Sequence, residues 1–214
     1  MESRFKNKRR WFTIVELLVA ILIFTIWWLS AYLLVYAAIG SSLKAKNEII
    51  AWNLAREKIE LIKNMRDTNW VRVLDWNKLD NSIIGNNAGT TDLTSGYFKI
   101  ENDFQLDTNL RPSIKLQKLN GFIEDRAHIT DLSNSQNRTM LCLDSKWRYS
   151  YVCSPWDKPT KFYAFLKVSP LNVKNSSDAI VVVDKALKID AIVYNYEKSF
   201  NKFIISTIIT DWKR

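Results

Sequence analysis

The sequence predicts an α+β protein in which one long N-terminal α-helix packs against a C-terminal antiparallel β-sheet. An uncharged, mostly apolar run near the N-terminus is followed by a stretch whose apolar residues recur at helical spacing. Short runs of β-branched and aromatic residues, separated by polar turns, follow in the rest of the chain. A sheet that covers one face of an amphipathic helix buries both apolar surfaces, which is the α+β arrangement.

The chain begins with a short basic segment at residues 1–11. Five of these residues are basic and one is acidic, so the segment contributes +4 of the formal net charge of +9. The other 203 residues contribute +5, a mild excess that does not by itself indicate nucleic-acid binding. A nucleic-acid partner is compatible with this charge but is not supported by it.

Residues 12–43 form an apolar run that predicts a membrane-spanning helix. From Leu17 to Leu43, 27 consecutive positions carry no charge, and as a helix they extend about 40 Å at ~1.5 Å per residue. A bilayer's hydrocarbon core is about 30 Å thick, so this run crosses it with some tilt. The basic residues before it predict a cytoplasmic N-terminus and an exported C-terminal part. The alternative is a secretory signal peptide, whose apolar region is shorter and ends at a small-residue cleavage site.

Residues 44–70 are expected to continue the same helix in amphipathic form. No proline precedes Pro112 and Gly40 is the only glycine among the first 84 residues, so no helix breaker marks the membrane surface. Apolar residues recur every three or four positions, at Ile50, Ala51, Leu54, Ala55, Leu61, Ile62 and Met65. The prediction is one helix of about 55 residues from Phe12 to around Arg66, whose second half enters the core of the exported domain.

Residues 71–214 are predicted to form that exported, β-rich domain. The stretch from Asp75 to Ser95 is rich in Asn, Asp, Gly and Thr and predicts a loop. The strand candidates are Tyr97–Phe104, Lys161–Val168, Ala179–Val183, Leu187–Tyr194 and Phe203–Thr210. The last two are separated by the polar segment 195–202, which is consistent with an antiparallel hairpin.

The two cysteines, Cys142 and Cys153, predict a disulfide within a second hairpin. A turn at Ser145–Arg148 would place them roughly opposite each other. Export to an oxidising compartment favours the bond, which closes a short loop and contributes about 2–3 kcal/mol. Two unlinked buried thiols are the alternative.

The sequence contains no catalytic constellation, and we expect neither an enzyme nor a cofactor. The lone His128 nearly excludes His-ligated metal sites and catalytic triads, and no Gly-rich phosphate loop is present. Two pairs of acidic residues, Asp75 with Asp80 and Asp178 with Asp184, have carboxylate side chains of the kind that ligates calcium. Solvated turn carboxylates are the preferred interpretation, so no metal site is predicted.

Glu16 is an ionisable residue near the start of the apolar run, where a carboxylate costs about 2.5–3.5 kcal/mol in lipid. A shallow position within reach of the headgroups is the simplest explanation. However, the segment from Lys8 to Ile21, with its basic residues, Phe12, Glu16 and an uninterrupted apolar run, resembles the N-terminal motif of type IV prepilins and type II secretion pseudopilins. The final strands, over Leu187–Lys213, are also similar to those of minor pilins.

The resemblance implies a structural subunit of a pilus or pseudopilus. It implies cleavage between Trp11 and Phe12, N-methylation of the new Phe12 amine, and a role for Glu16 in subunit assembly. The implied partners are a prepilin peptidase that is also the N-methyltransferase, other pilin-like subunits, and an inner-membrane assembly platform with its ATPase. Residues 1–11 are then the leader and residues 12–43 the membrane and assembly helix. The alternative is a single-pass, membrane-anchored binding or adhesin domain that does not polymerise.

The tryptophan and glycine counts suggest that some tryptophans stand for glycine. The chain has nine Trp and five Gly, whereas about 15 Gly are expected at roughly 7% usage. Trp11 stands where the family has glycine before the cut, and Trp76, Trp147 and Trp156 lie in turn-like sequences. A genetic code that reads UGA as glycine produces this pattern when UGA is translated as tryptophan. A genuinely Trp-rich protein with a non-standard leader is the alternative. Leu33 also departs from the motif, because many pilins have proline there.

Overall fold

In a computed structural model of the protein, the described residues are 13–71, 73–79, 91–106, 112–133, 137–174, 180–196 and 200–211. Helix α1 spans Ile14–Val71 and helix α2 spans Arg126–Ile129. The strands are β1 Lys78–Leu79, β2 Thr91–Asp92, β3 Gly96–Leu106, β4 Pro112–Lys118, β5 Met140–Leu143, β6 Tyr149–Ser150, β7 Lys158–Lys174, β8 Ile180–Tyr196 and β9 Phe200–Thr210. The predicted α+β class is confirmed.

Helix α1 changes character along its length, as the sequence predicts. The chain divides into two compact units, Met1–Lys46 and Asn47–Arg214, and α1 contributes to both. In the first unit, every described side chain up to Leu43 is exposed, and most of these side chains are apolar. In the second unit, one face of α1 is buried, at Ala51, Leu54, Ala55, Lys58, Ile59, Leu61, Ile62, Met65 and Asn69.

The C-terminal end of α1 lies five residues beyond the predicted end near Arg66. The Leu74 N–H donates to the Asn69 carbonyl (2.9 Å) and the Val73 N–H donates to the Trp70 carbonyl (3.1 Å). These two bonds form a Schellman motif, in which the left-handed residue is usually glycine. Here Val73 takes that position with φ 61°. Because the stop signal is a valine, the sequence alone does not reveal where the helix ends.

A seven-stranded antiparallel sheet packs on the buried face of α1. Strand β7 is central: β8 pairs with one of its edges, and β3 and β5 pair with successive parts of the other. Strand β4 lies outside β3, β6 outside β5, and β9 outside β8. Strands β1 and β2 form a separate two-stranded sheet.

The core has two parts, one on each face of the sheet. On one face, alternate residues of β7, such as Ala164 and Leu166, pack with Leu54 and Ile62 of α1. On the other face, intervening residues such as Phe165 pack with side chains from the segment that contains α2: Leu119, Phe122 and Ile129. The sheet is therefore covered on one side by the helix and on the other by a short connecting segment.

The structure differs from the predicted strands in three ways. The predicted strands Ala179–Val183 and Leu187–Tyr194 are one continuous strand, β8, with a bulge around Lys185 (φ 59°). The predicted loop from Asp75 to Ser95 includes the short strands β1 and β2. Strand β4 was not predicted, because it begins with a proline and carries two lysines, whereas β5 and β6 form the second hairpin that was predicted around Ser145–Arg148.

Candidate functional site

The N-terminus of α1 places Glu16 in a capping box with Thr13. The Thr13 backbone N–H donates to Glu16 Oε2 (3.0 Å), and the Thr13 hydroxyl lies 3.1 Å from the same oxygen. In return, the Glu16 N–H donates to the Thr13 Oγ1 (3.3 Å). This is the reciprocal arrangement of a Thr-x-x-Glu sequence at a helix start, where the helix dipole also favours a negative charge. This capping role of Glu16 was not predicted from the sequence.

The capping box leaves part of the Glu16 carboxylate open. Both capping contacts use Oε2, and among the residues that the structure describes no hydrogen bond to Oε1 is present. Each carboxylate oxygen has two lone pairs, so Glu16 can accept a further donor without losing its cap. The predicted cleavage and methylation positions, Trp11 and Phe12, lie outside the described residues.

Two hydroxyl side chains within the apolar half of α1 bond to the helix itself. The Thr25 hydroxyl donates to the Leu22 carbonyl (2.8 Å), and the Ser30 hydroxyl donates to the Ile26 carbonyl (2.8 Å). Such internal bonds remove the need for water at these positions. By length and composition α1 can cross a membrane, and it is the single such helix within the described ranges. Glu16 is the one charged side chain from Thr13 to Leu43, and its carboxylate has capacity for an external partner.

The predicted disulfide between Cys142 and Cys153 is confirmed, with a Cα–Cα distance of 5.5 Å. Its geometry differs in detail from the predicted hairpin. In the ladder the partner of Cys142 is Ser150, and Cys153 lies three residues further on, past the end of β6. The bond thus ties the segment after β6 back to β5, and Cys142 itself is 1% exposed.

Of the four acidic residues considered for calcium, the structure describes the side chain of Asp75 alone. Asp75 pairs with Lys78 at 2.9 Å. Asp80 and Asp178 lie outside the described residues, as does the side chain of Asp184. Within the described parts of the chain, no group of three or more His, Cys, Asp or Glu residues has the arrangement of a metal site.

His128 has a structural environment at the start of α2. Its backbone N–H donates to the Asp125 Oδ1 (2.8 Å), which is the N-cap of this helix, and its ring Nδ1 lies 2.7 Å from the same oxygen. These bonds from His128 hold the pKa of the Asp125 carboxyl below its usual range. The pair is on the surface, where it caps α2.

A cavity of about 380 Å³ lies beside the β5–β6 hairpin and contains three carboxylates, those of Glu101, Asp144 and Asp157. Each of them is engaged by the surrounding loops. Glu101 Oε2 accepts the Tyr151 N–H (3.2 Å), Asp144 accepts the Arg148 side chain (2.8 Å), and Asp157 accepts the Ser154 N–H (2.7 Å). The carboxylates therefore order the loops around the disulfide.

The buried stripe of α1 contains a lysine that the sequence analysis did not single out. Lys58 is 1% exposed, and its Nζ lies 5.1 Å from the centroid of the Tyr151 ring and 3.5 Å from Glu57 Oε1. The ammonium has no hydrogen-bond partner among the described residues. Lys99 from β3 approaches the same ring at 5.6 Å. The sequence does indicate that Lys58 is buried, because position 58 falls on the apolar stripe three residues after Ala55.

Burial changes the pKa values of this cluster. Desolvation lowers the pKa of Lys58, and the charges of Glu57 and Glu101 oppose that change only in part. Desolvation also lowers the pKa of Lys99. The pKa of Tyr151 is raised well above its usual value, first by burial and then by the nearby glutamates. Burial of these ionisable groups lowers the free energy of unfolding, and the surrounding packing offsets this cost.

Trp147 lies in the left-handed region with φ 62°, in the turn that connects β5 and β6. Glycine is the usual residue at such a position in a hairpin loop, so this observation favours the interpretation that Trp147 stands for glycine. Trp76 is different, because its ring packs partly buried against the core. Trp156 is 92% exposed and is not among the described residues with positive φ.

We expect Trp147→Gly to increase the free energy of unfolding by about 1 kcal/mol, because it removes the steric penalty of an L-residue in the left-handed region. Trp156→Gly is the matched control and should bring no gain. Urea unfolding followed by circular dichroism measures both.

Sequencing the gene tests the origin of the residue: UGA at codons 11, 76, 147 and 156, with UGG at 70 and 212, is expected. A Trp147→Gly variant no more stable than the parent, or UGG at codon 147, contradicts the interpretation.

The chain matches no protein-family model, no curated protein and no solved structure.

Proposed function

We propose that the protein is a type IV pilin-like structural subunit. In this proposal it is inserted in the bacterial inner membrane, cleaved and N-methylated at Phe12, and polymerised through its N-terminal helix into a pilus or pseudopilus. The observation that carries the proposal is Glu16, a carboxylate in the first turn of α1 that is followed by 27 uncharged residues. The position agrees with the prepilin-like segment from Lys8 to Ile21.

A subunit with a new amine at Phe12 and a carboxylate at Glu16 has two groups that are costly in lipid. The first turn of its own helix already uses Glu16 Oε2, whereas Oε1 can accept the amine of a neighbouring subunit. This pairing neutralises both charges and fixes the axial shift between the two helices. The contact joins different parts of the two subunits, and repetition of such a contact without closure gives a helical filament.

The exposed apolar surface of α1 supports both stages of this proposal. Its side chains suit lipid when the subunit is stored in the membrane, and helix–helix contacts when it is assembled. Phe24, Trp28 and Tyr32 follow one another at i, i+4 spacing, and each is exposed. The internally bonded hydroxyls of Thr25 and Ser30 make no demand on either environment.

The second unit fits an exported domain. Its cysteines form a disulfide, and such bonds persist in oxidising compartments outside the cytosol. The basic residues of the 1–11 segment favour a cytoplasmic N-terminus. The partners in this proposal are the prepilin peptidase and methyltransferase, other pilin-like subunits, and the assembly platform with its ATPase.

The alternative function is a single-pass anchor for a binding or adhesin domain. One observation favours it: the capping box gives Glu16 a role within its own chain. In that case the carboxylate stabilises the start of the membrane helix and needs no neighbour. The two functions differ in what they require of residues 1–12, since an anchor needs no processing.

N-terminal mass spectrometry of protein from its own host tests the proposal. We expect a mature chain that begins with N-methylated Phe12. The control is the same protein from host cells that lack the prepilin peptidase, which should retain residues 1–11. Retention of these residues in cells that contain the active peptidase would show that the chain is not processed as a pilin.

A further inference from the structure

The tip of the β7–β8 hairpin is a two-stranded ribbon, here called the arm, formed by Leu171–Lys174 and Ile180–Val183. These residues pair with each other, from Leu171 opposite Val183 to Lys174 opposite Ile180. Strand β3 pairs with β7 only as far as Val168, and β9 pairs with β8 only from Ala186 onward. Within the described parts of the chain, both edges of the arm therefore lack a neighbouring strand.

One face of the arm is apolar, with Leu171, Val173, Val181 and Val183, and the other carries the polar Asn172 and Lys174 beside Ile180 and Val182. Its exposed apolar side chains are Val173 (48%), Ile180 (70%), Val181 (48%) and Val182 (55%). Successive residues of a strand point to opposite faces, so the two polar residues share one face. A two-stranded hairpin alone is marginally stable in water, and the β8 edge of the arm, Ile180–Val183, is uncharged and β-branched, which favours pairing with another strand. The arm thus has the chemistry of a strand donor.

The matching acceptor is an open sheet edge that carries little charge, and β9 has this character. Strand β9 pairs only with β8 within the described residues, and its eleven residues include one charge, Lys202. Ile204 and Ile208 are 42% and 53% exposed and share one face. Strand β4, the edge strand beyond β3, is protected by contrast, because it starts with Pro112 and exposes two lysines.

The arm cannot use the open edge of its own β9. The arm continues β8, and β9 is the strand next to β8, so the outer edge of β9 faces away from the arm. We propose that the arm of one copy pairs with the open edge of β9 on a second copy. The arm and β9 are different surfaces, so the contact is heterologous, and it repeats along a filament when the rotation between copies does not close a ring. The proposal rests on the pilin-like function for bringing copies side by side.

Cysteine cross-linking between two variants of the full chain tests this contact. Val182→Cys and Ile208→Cys replace exposed side chains, and the native cysteines are already joined to each other. We expect a disulfide-linked dimer when the two variants are co-expressed in the host, several-fold above the amount from either variant alone. In the control, Lys115→Cys on the edge of β4 replaces Ile208→Cys and should give no enrichment.

Three outcomes would overturn the proposal: dimers of Val182→Cys with itself, which indicate a symmetric arm–arm contact; no enrichment over the Lys115→Cys control; or cross-links from the arm to a different protein. The same preparations are examined for filaments and for cleavage before Phe12. Filaments without the arm–β9 cross-link contradict the arm contact alone, whereas unprocessed protein contradicts the pilin-like function.

Discussion

Glu16→Gln should abolish incorporation of the subunit into filaments while preserving the start of α1. Glutamine also serves in a capping box, so the contacts with Thr13 remain available. The substitution removes the charge that would attract a neighbour's amine. An unpaired charge in lipid costs about 2.5–3.5 kcal/mol, and every 1.4 kcal/mol is tenfold in an equilibrium constant. We therefore expect at least a tenfold loss, measured as subunit recovered in sheared filaments relative to subunit in membranes.

Two further variants separate the charge from the cap. Glu16→Ala removes both and should also fail to assemble, while its membrane insertion stays intact or improves because a charge leaves the lipid. Thr13→Val removes the capping hydroxyl but keeps the carboxylate, and this subunit should assemble. If Glu16→Gln subunits enter filaments as well as the parent, Glu16 acts only as a cap and the anchored-domain alternative is favoured.

Lys58→Met should increase the free energy of unfolding by about 1–3 kcal/mol at pH 7, because it removes a buried ammonium that has no hydrogen-bond partner among the described residues. Methionine fills a similar volume beneath the Tyr151 ring. Glu57, which loses its ion-pair partner in this variant, is exposed and is rehydrated at little cost. Urea unfolding of the full chain in detergent, followed by circular dichroism, measures the change.

The pH dependence gives a second readout. The folded-state pKa of Lys58 lies below the unfolded value of 10.5, so the unfolded chain binds more protons between these two values. The stability of the parent should therefore rise as the pH increases toward 10.5. Lys99 adds a contribution of the same sign, and Tyr151 opposes it above about pH 10 because its folded-state pKa is raised. In Lys58→Met, the rise below pH 10 should be smaller.

The control for Lys58 is Lys63→Met on the same helix. Lys63 is exposed and forms only a long surface ion pair with Glu60 (4.0 Å). Its substitution should change the free energy of unfolding by no more than about 0.5 kcal/mol. A Lys58→Met variant that is less stable than the parent would show that the ammonium contributes favourably through Tyr151 and the glutamates.

Features that depend on local chemistry or on composition could be predicted from the sequence alone. The apolar half of α1 follows from uncharged residues without a helix breaker, and its buried second half from apolar residues such as Leu54 and Ile62 at helical spacing. Strands β3, β7 and β9 contain the predicted runs because their β-branched and aromatic content is high. The disulfide followed from two cysteines on either side of a turn.

Features that depend on which surfaces meet could be identified only in the folded chain. Lys58 is buried because the phase of α1 directs it at Tyr151, a residue 93 positions further along the chain. The polar residues that suggested a break between two strands lie instead in a bulge of β8, since pairing with β7 continues on both sides of it. Propensity is a local property, whereas burial and pairing are set by distant residues, and the sequence does not state which residues will be neighbours.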